Sequence, residues 1–274
     1  MTTLICWISR DLNGTSAAYL ASDSRITWGS DARRWDSGRK LFASKSSPYL
    51  MGYCGEAFFP SQVLGQATDL IDNGLLWQAD VEPDERSRRL VDFIKSAAGR
   101  RHNAVEADFQ IVHVARRGQS NASTFEVKTL KYQAFNSSWK SASVDMCAIG
   151  QNSAQVLAIG SGAAHLQAET DRWEQSDQGG TSRAVFGAFC DALKRGRDPL
   201  TGGQPQIVGL TRKGAGQVYG FSDGISAYLY GSPIAEPELR KLIEWRDDCF
   251  QRIDGQTLKL MSNAQRQVRP NMNW

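Results

Sequence analysis

The residues best equipped for chemistry stand at the start of the chain. Met1 precedes Thr2, and a small residue in that position normally allows an initiator methionine to be removed. Thr2 would then carry a free α-amine beside its own hydroxyl. Such an amine has a pKa of about 7.7–8.0, against about 10.4 for lysine, so it can act as a base near neutral pH. Nucleophile and base would belong to one residue. A Met-Thr start is common, and by itself it carries no weight.

Other sources of chemistry are sparse. His102, His113 and His165 are scattered, lie near no matching cysteine or carboxylate motif, and read as ordinary surface or core residues. No GxSxG segment is present for a nucleophile elbow. No GxxxxGK[ST] or strand-GxGxxG-helix unit supports nucleotide binding. Gly160-Ser161-Gly162 follows a strand and opens a helix, so its N–H groups could receive an oxyanion or phosphate, or form a plain turn.

The chain that must position these groups has 274 residues, with 32 Lys and Arg against 29 Asp and Glu. That length allows one large domain or two small ones. A net charge of +3 gives no footing for a nucleic-acid or anionic-membrane partner. Uninterrupted apolar stretches such as Leu4–Ile8 and Ala17–Ala21 fall far short of the ~20 residues that span a bilayer, and Met1–Ile8 lacks the features of a secretory signal. Cys6, Cys54, Cys147, Cys190 and Cys249 are widely spaced and form no CxxC, so the expectation is reduced thiols, a cytoplasmic location and no metal site or organic cofactor.

Patterning predicts a hairpin of Thr3–Ser9 and Ala17–Ser22 turning at Asn13-Gly14, then a second of Lys40–Ser44 and Tyr49–Cys54. Helices are expected at Pro60–Leu76 and Pro83–Arg101, and strands at Asp108–Ala115, Thr124–Phe135 and Met146–Ile159. Helices Ala163–Gln175 and Thr181–Arg195 follow, then a hairpin of Pro205–Leu210 and Gly216–Phe221. Leu239, Leu242, Ile243, Trp245 and Phe250 predict an amphipathic helix over Pro237–Ile253. The order fits α+β layers or a sheet sandwich flanked by helices better than regular βαβ alternation.

Five segments in order then carry a resemblance: TTLIC from Thr2, ASDSRIT around Asp23, RKLFA around Lys40, GYCGE ending the second hairpin, and AIGSG at Ala158–Gly162; RDPLTGG at Arg197–Gly203 joins them. Together they resemble the proteasome β-subunit family, including its simpler bacterial ring-forming relatives, over roughly residues 2–220. The resemblance implies an α+β fold, a four-layer αββα sandwich of the N-terminal-nucleophile hydrolase type. Residues 1–221 would form that domain, and 222–274 a C-terminal extension with one amphipathic helix, packed on the same domain or on a ring neighbour. It implies a threonine-type peptidase acting through an acyl-enzyme, self-assembled into a ring or double ring on unfolded polypeptide or peptide substrates. Whether an ATPase unfoldase feeds the ring is not readable from sequence.

Residue by residue, the resemblance implies Thr2 as nucleophile, with Lys40 beside it lowering the pKa of its amine and hydroxyl. Asp23 would hold Lys40, and Ser161, Asp198 and Thr201 would hydrogen-bond around the amine and a bound water. The Gly55 N–H would supply the oxyanion hole, and Tyr53 would shape the substrate pocket. A shifted alignment would nominate Lys45 in place of Lys40, and Asp23 could form an Asx-turn. Two departures stand out: a longer first hairpin around Arg10–Ser16, and Glu56 where a second glycine is frequent, which places a carboxylate near the pocket. Two rival functions stay open, a structural subunit without activity and an N-terminal-nucleophile amidohydrolase acting on a small amide.

Overall fold

The computed structural model describes residues 2–29, 33–78, 80–103, 105–146, 150–265 and 268–270. Met1, Cys147 and residues 147–149 of the expected strand Met146–Ile159 lie outside them. In chain order come β1 (Leu4–Asp11), β2 (Gly14–Ser22), β3 (Ile26–Trp28), β4 (Arg33–Trp35), β5 (Leu41–Ala43) and β6 (Tyr49–Gly55). Then follow α1 (Phe58–Asp72), α2 (Pro83–Gly99), β7 (Phe109–Arg117), β8 (Thr124–Gln133), β9 (Ser138–Ser143) and β10 (Ala154–Ile159). The last elements are α3 (Gln167–Glu174), α4 (Ser182–Arg195), β11 (Gln206–Thr211), β12 (Gln217–Ser222), β13 (Ala227–Leu229), β14 (Ser232–Pro233), β15 (Glu244–Arg246) and β16 (Arg252–Ile253).

These elements make a mixed α/β protein with antiparallel sheets. One sheet runs β10-β1-β2-β11-β12-β13-β14, with β15 beside β12 and β16 beside β15. A second runs β5-β6-β7-β8-β9, and β3 and β4 form a separate hairpin. Side chains alternate across a strand, so each sheet divides two cores. In β1, Leu4, Cys6 and Ile8 enter a core shared by both sheets, whereas Ile5 and Trp7 enter one shared with Phe186 and Phe189 of α4. The segment LICWI is apolar at every position because both of its faces are buried. In β6, Leu50 and Cys54 face the inter-sheet core, while Tyr49, Met51 and Tyr53 pack with Val63 and Leu64 of α1 and Leu90 and Ile94 of α2. Local signals set the helix ends. Pro83 opens α2, and the Thr181 hydroxyl caps α4 by accepting from Ala184 N at 3.2 Å.

The expected helix over Pro237–Ile253 does not form. Pro237–Leu242 is a 3-10 turn, and Glu244–Arg246 becomes β15, parallel to β12. Trp245 lies across Gly220 of β12 so closely that a Cβ there would sit 2.2 Å from the indole. The Asp247 carboxylate then accepts from the N–H groups of Cys249 and Gln251, turning the chain into β16. Residues beyond 221 therefore extend the large sheet through β13 to β16. Among the described residues, the strand expected from Met146 is paired over Ala154–Ile159, and the helix expected from Ala163 divides into a 3-10 turn at Ser161–His165 followed by α3. Hairpin β3–β4 and strand β9 had no counterpart in the expectations.

Candidate active site

Strand pairing gathers the singled-out residues at one end of the large sheet. Leu4 pairs with both Ser22 of β2 and Ile159 of β10. Thr2 and Thr3 therefore emerge between Asp23, just past β2, and Gly160, just past β10. Thr3 N donates to Asp23 Oδ1 at 3.0 Å, and Asp23 N returns a bond to Thr3 O at 3.2 Å. On the other side, Gly160 has φ +94, and a Cβ there would stand 1.9 Å from Thr2 O. Gly162 N donates to that same oxygen at 3.3 Å. The glycines of AIGSG thus let the chain close against the Thr2 backbone.

Lys40 reaches the site from the segment before β5. Its Nζ donates to Asp23 Oδ1 at 2.8 Å and to Thr2 Oγ1 at 3.0 Å. Thr2, Asp23 and Lys40 are all buried. Burial pulls the Lys40 pKa below the ordinary lysine value, and the Asp23 carboxylate offsets part of that shift. Asp23 Oδ2 accepts from Arg25 N at 3.2 Å and from Gly202 N at 3.0 Å. Lysine, carboxylate and three backbone donors therefore form one satisfied buried network. Lys45 is exposed, and its N–H meets Asp72 on α1, away from Thr2.

The remaining expected residues form an adjoining cluster. Ser161 Oγ donates to Asp198 Oδ2 at 2.6 Å, and Thr201 Oγ1 donates to the Asp198 carbonyl at 3.3 Å. This cluster joins the first through Gly202 N on Asp23 and through Gly162, where a Cβ would lie 3.0 Å from Thr201 Cγ2. The other Asp198 oxygen, Oδ1, accepts from Leu200 N at 2.9 Å, so the cluster is anchored in the turn that carries it. Two positioning residues escaped sequence reasoning. Gln206 Oε1 accepts from Lys40 N at 3.0 Å, while its Nε2 donates to Gly38 O at 2.7 Å and Asp23 O at 3.3 Å. A buried polar residue at the head of the apolar run QIVGL was the available signal. Arg25 grips Asp36 bidentately at 2.7 and 2.8 Å, and donates to the carbonyls of Pro199 and Thr201 at 3.1 Å.

A cleft of about 720 Å³ opens from Thr2 and Lys40. Tyr53 and Gly55 line it, with Ile26, Trp28, Trp35 and Phe58 farther out. The Tyr53 hydroxyl donates to Arg39 O at 3.2 Å, which ties the cleft wall to the residue before Lys40. Burial raises the pKa values of Tyr53 and Cys54, the latter to about 11, so neither is ionised at neutral pH. Glu56 lines the cleft as expected, but both of its oxygens are engaged at the start of α1. They accept from Phe58 N at 2.8 Å and Phe59 N at 2.9 Å.

Among the described residues no cluster of three or more His, Cys, Asp or Glu is arranged to hold a metal ion. No helix of the described residues is long and apolar enough to cross a membrane. No family model matches the chain, and no curated protein matches it. What the site can do follows from its own geometry: a hydroxyl with a buried ammonium against it, at the inner end of a cleft large enough for a ligand.

Proposed function

We propose that the protein is a threonine-type peptidase of the proteasome β-like class, with an αββα sandwich of the N-terminal-nucleophile type that assembles into a ring or double ring. The observation that carries this proposal is the buried chain Asp23–Lys40–Thr2, with Lys40 Nζ in hydrogen-bond contact with both partners at the end of an open cleft. Once cleavage of the Met1–Thr2 bond frees the Thr2 amine, that amine accepts the hydroxyl proton and Oγ1 attacks the carbonyl carbon of a peptide bond. Lys40 lowers the pKa of both groups through its charge, and Asp23 fixes its direction. The resemblance assigns the developing oxyanion to the backbone N–H of Gly55, where one donor is worth about 2.7–4 kcal/mol in comparable sites. The leaving amine takes the proton, and an ester on Thr2 remains. Water, deprotonated by the same amine, hydrolyses the ester and restores the site. Ser161, Asp198 and Thr201 hold the backbone beside Thr2 in place.

Hydrolysis of fluorogenic peptide amides, followed alongside sedimentation velocity, tests this function. Thr2→Ala should abolish cleavage, Thr2→Ser should retain part of it, and the active species should sediment as a ring. Full activity in Thr2→Ala would remove Thr2 from the chemistry.

A further inference from the structure

The hairpin between Asp23 and Lys40 does more than connect them. In β3–β4, Ile26 stands opposite Trp35 and Trp28 opposite Arg33. Directly paired residues share a face, and so do residues two apart on one strand. Ile26, Trp28 and Trp35 therefore lie on one face, and all three line the cleft that begins at Thr2. Phe58, at the start of α1, lines the same cleft. Trp28, Trp35 and Phe58 remain 50%, 55% and 70% exposed, although burying them would be favourable. Three large exposed rings around one opening form an unfilled apolar surface beside the hydroxyl.

The charges of the cleft favour the same kind of occupant. Arg25 is bound bidentately by Asp36, and Lys40 is bound by Asp23. Glu56 and Asp108 place carboxylates on the wall, and Asp108 Oδ1 accepts from Ala134 N at 2.8 Å. A negatively charged side chain would meet these carboxylates and find Arg25 and Lys40, the cations that line the cleft, already paired. An uncharged ring or branched chain would cover the indoles.

The geometry points to a specificity element: the β3–β4 hairpin, together with Phe58, selects peptides that carry a large apolar or aromatic side chain next to the bond presented to Thr2, and rejects acidic ones. This inference rests on the proposed peptidase function, so its test separates binding from cleavage. Affinities of N-acetylated tripeptide amides ending in Phe, Ala or Asp are measured by calorimetry on the Thr2→Ala protein, which holds them without reaction. The Phe peptide should bind at least about tenfold more tightly than the other two, a discrimination of the size apolar pockets give. Trp28→Ala or Trp35→Ala, each added to Thr2→Ala, should remove that advantage, and Trp28→Phe should restore most of it. Both tryptophans are half exposed, so thermal melts should stay close to the parent. Equal affinity for the three peptides, or a preference indifferent to both tryptophans, would overturn the inference. Unchanged peptide affinity with an altered oligomeric state in the Trp variants would assign the face to a second copy of the chain, and also overturn it. If the wild type prefers Phe peptides but shows no Thr2-dependent cleavage, the hairpin's role stands and the peptidase proposal falls. Thr2-dependent cleavage blind to the side chain would give the reverse.

Discussion

Replacing Asp23 with Ala should cost much more stability than replacing Lys40 with Met, although the two form one ion pair. Without Lys40, the Asp23 carboxylate keeps three backbone donors, the N–H groups of Thr3, Arg25 and Gly202, at 3.0, 3.2 and 3.0 Å. The Lys40→Met loss should then stay near about 1–3 kcal/mol. Without Asp23, the buried ammonium loses its counter-charge and keeps the neutral Thr2 hydroxyl, and the buried Thr3 N–H loses its carboxylate acceptor. Breaking a buried pair in this way costs roughly 3–5 kcal/mol, and the orphaned amide adds about 1–3 kcal/mol. Deprotonation of Lys40, which burial already favours, limits the loss without removing it. Against a typical total of about 5–15 kcal/mol, Asp23→Ala should unfold at much lower urea, with Asp23→Asn in between. In the Asp23→Ala/Lys40→Met double variant no ammonium is stranded, so the loss should fall below the sum of the singles. Urea unfolding followed by circular dichroism, compared at equal m values, reads all four. Equal losses in the two single variants, or strict additivity in the double, would refute the reasoning.

Acid stability should carry the signature of His113, which is buried against Tyr49 with Nδ1 and the phenol oxygen 2.7 Å apart. Burial depresses its pKa to about 3, against an ordinary 6.5. Above pH 6.5 neither state is charged; as pH falls from there to about 3, only the unfolded chain takes the proton. Stability should therefore drop by about 1.4 kcal/mol per pH unit, roughly 4–5 kcal/mol in all. His113→Phe should remove that component, and an unchanged slope would contradict it. Tyr230, in the segment past residue 221, stacks on Arg39 with the guanidinium 4.3 Å from the ring, and Phe42 holds the other face at 4.2 Å. Tyr230→Ala should lose about 1–2 kcal/mol of stability and Tyr230→Phe little; equal losses from both would refute the stacking role.

The sequence made the scaffold legible where its signals were long or sharp. LICWI, followed by Asn13-Gly14 and a second apolar run, gave β1–β2, and the apolar stripes of α1 and α2 gave both helices within a few residues. Short elements were hidden. β3 and β4 have three residues each, too few for alternation to show. In the C-terminal segment, Leu239, Leu242, Ile243, Trp245 and Phe250 mimic a helical stripe. Leu239 and Leu242 are exposed, however, and Phe250 adopts φ +60 in a turn, so tertiary pairing with β12 decides the conformation. The contacts of Lys40 with Thr2 and Asp23 could not be read from spacing, because the partners are far apart in the chain and the fold alone brings them together. The order of motifs nominated them. Gln206 carried no motif, and its bridging role appears only once β2 and β11 are paired.

The most direct test of the central claim is the intact mass of the purified protein before and after exposure to a peptide epoxyketone, which bridges an N-terminal threonine hydroxyl and its amine. A mass lacking Met1, with one stoichiometric adduct that Thr2→Ala does not form, is the predicted result. Retention of Met1 with no adduct would contradict Thr2 as the nucleophile and leave the Asp23–Lys40 pair a structural feature of the fold.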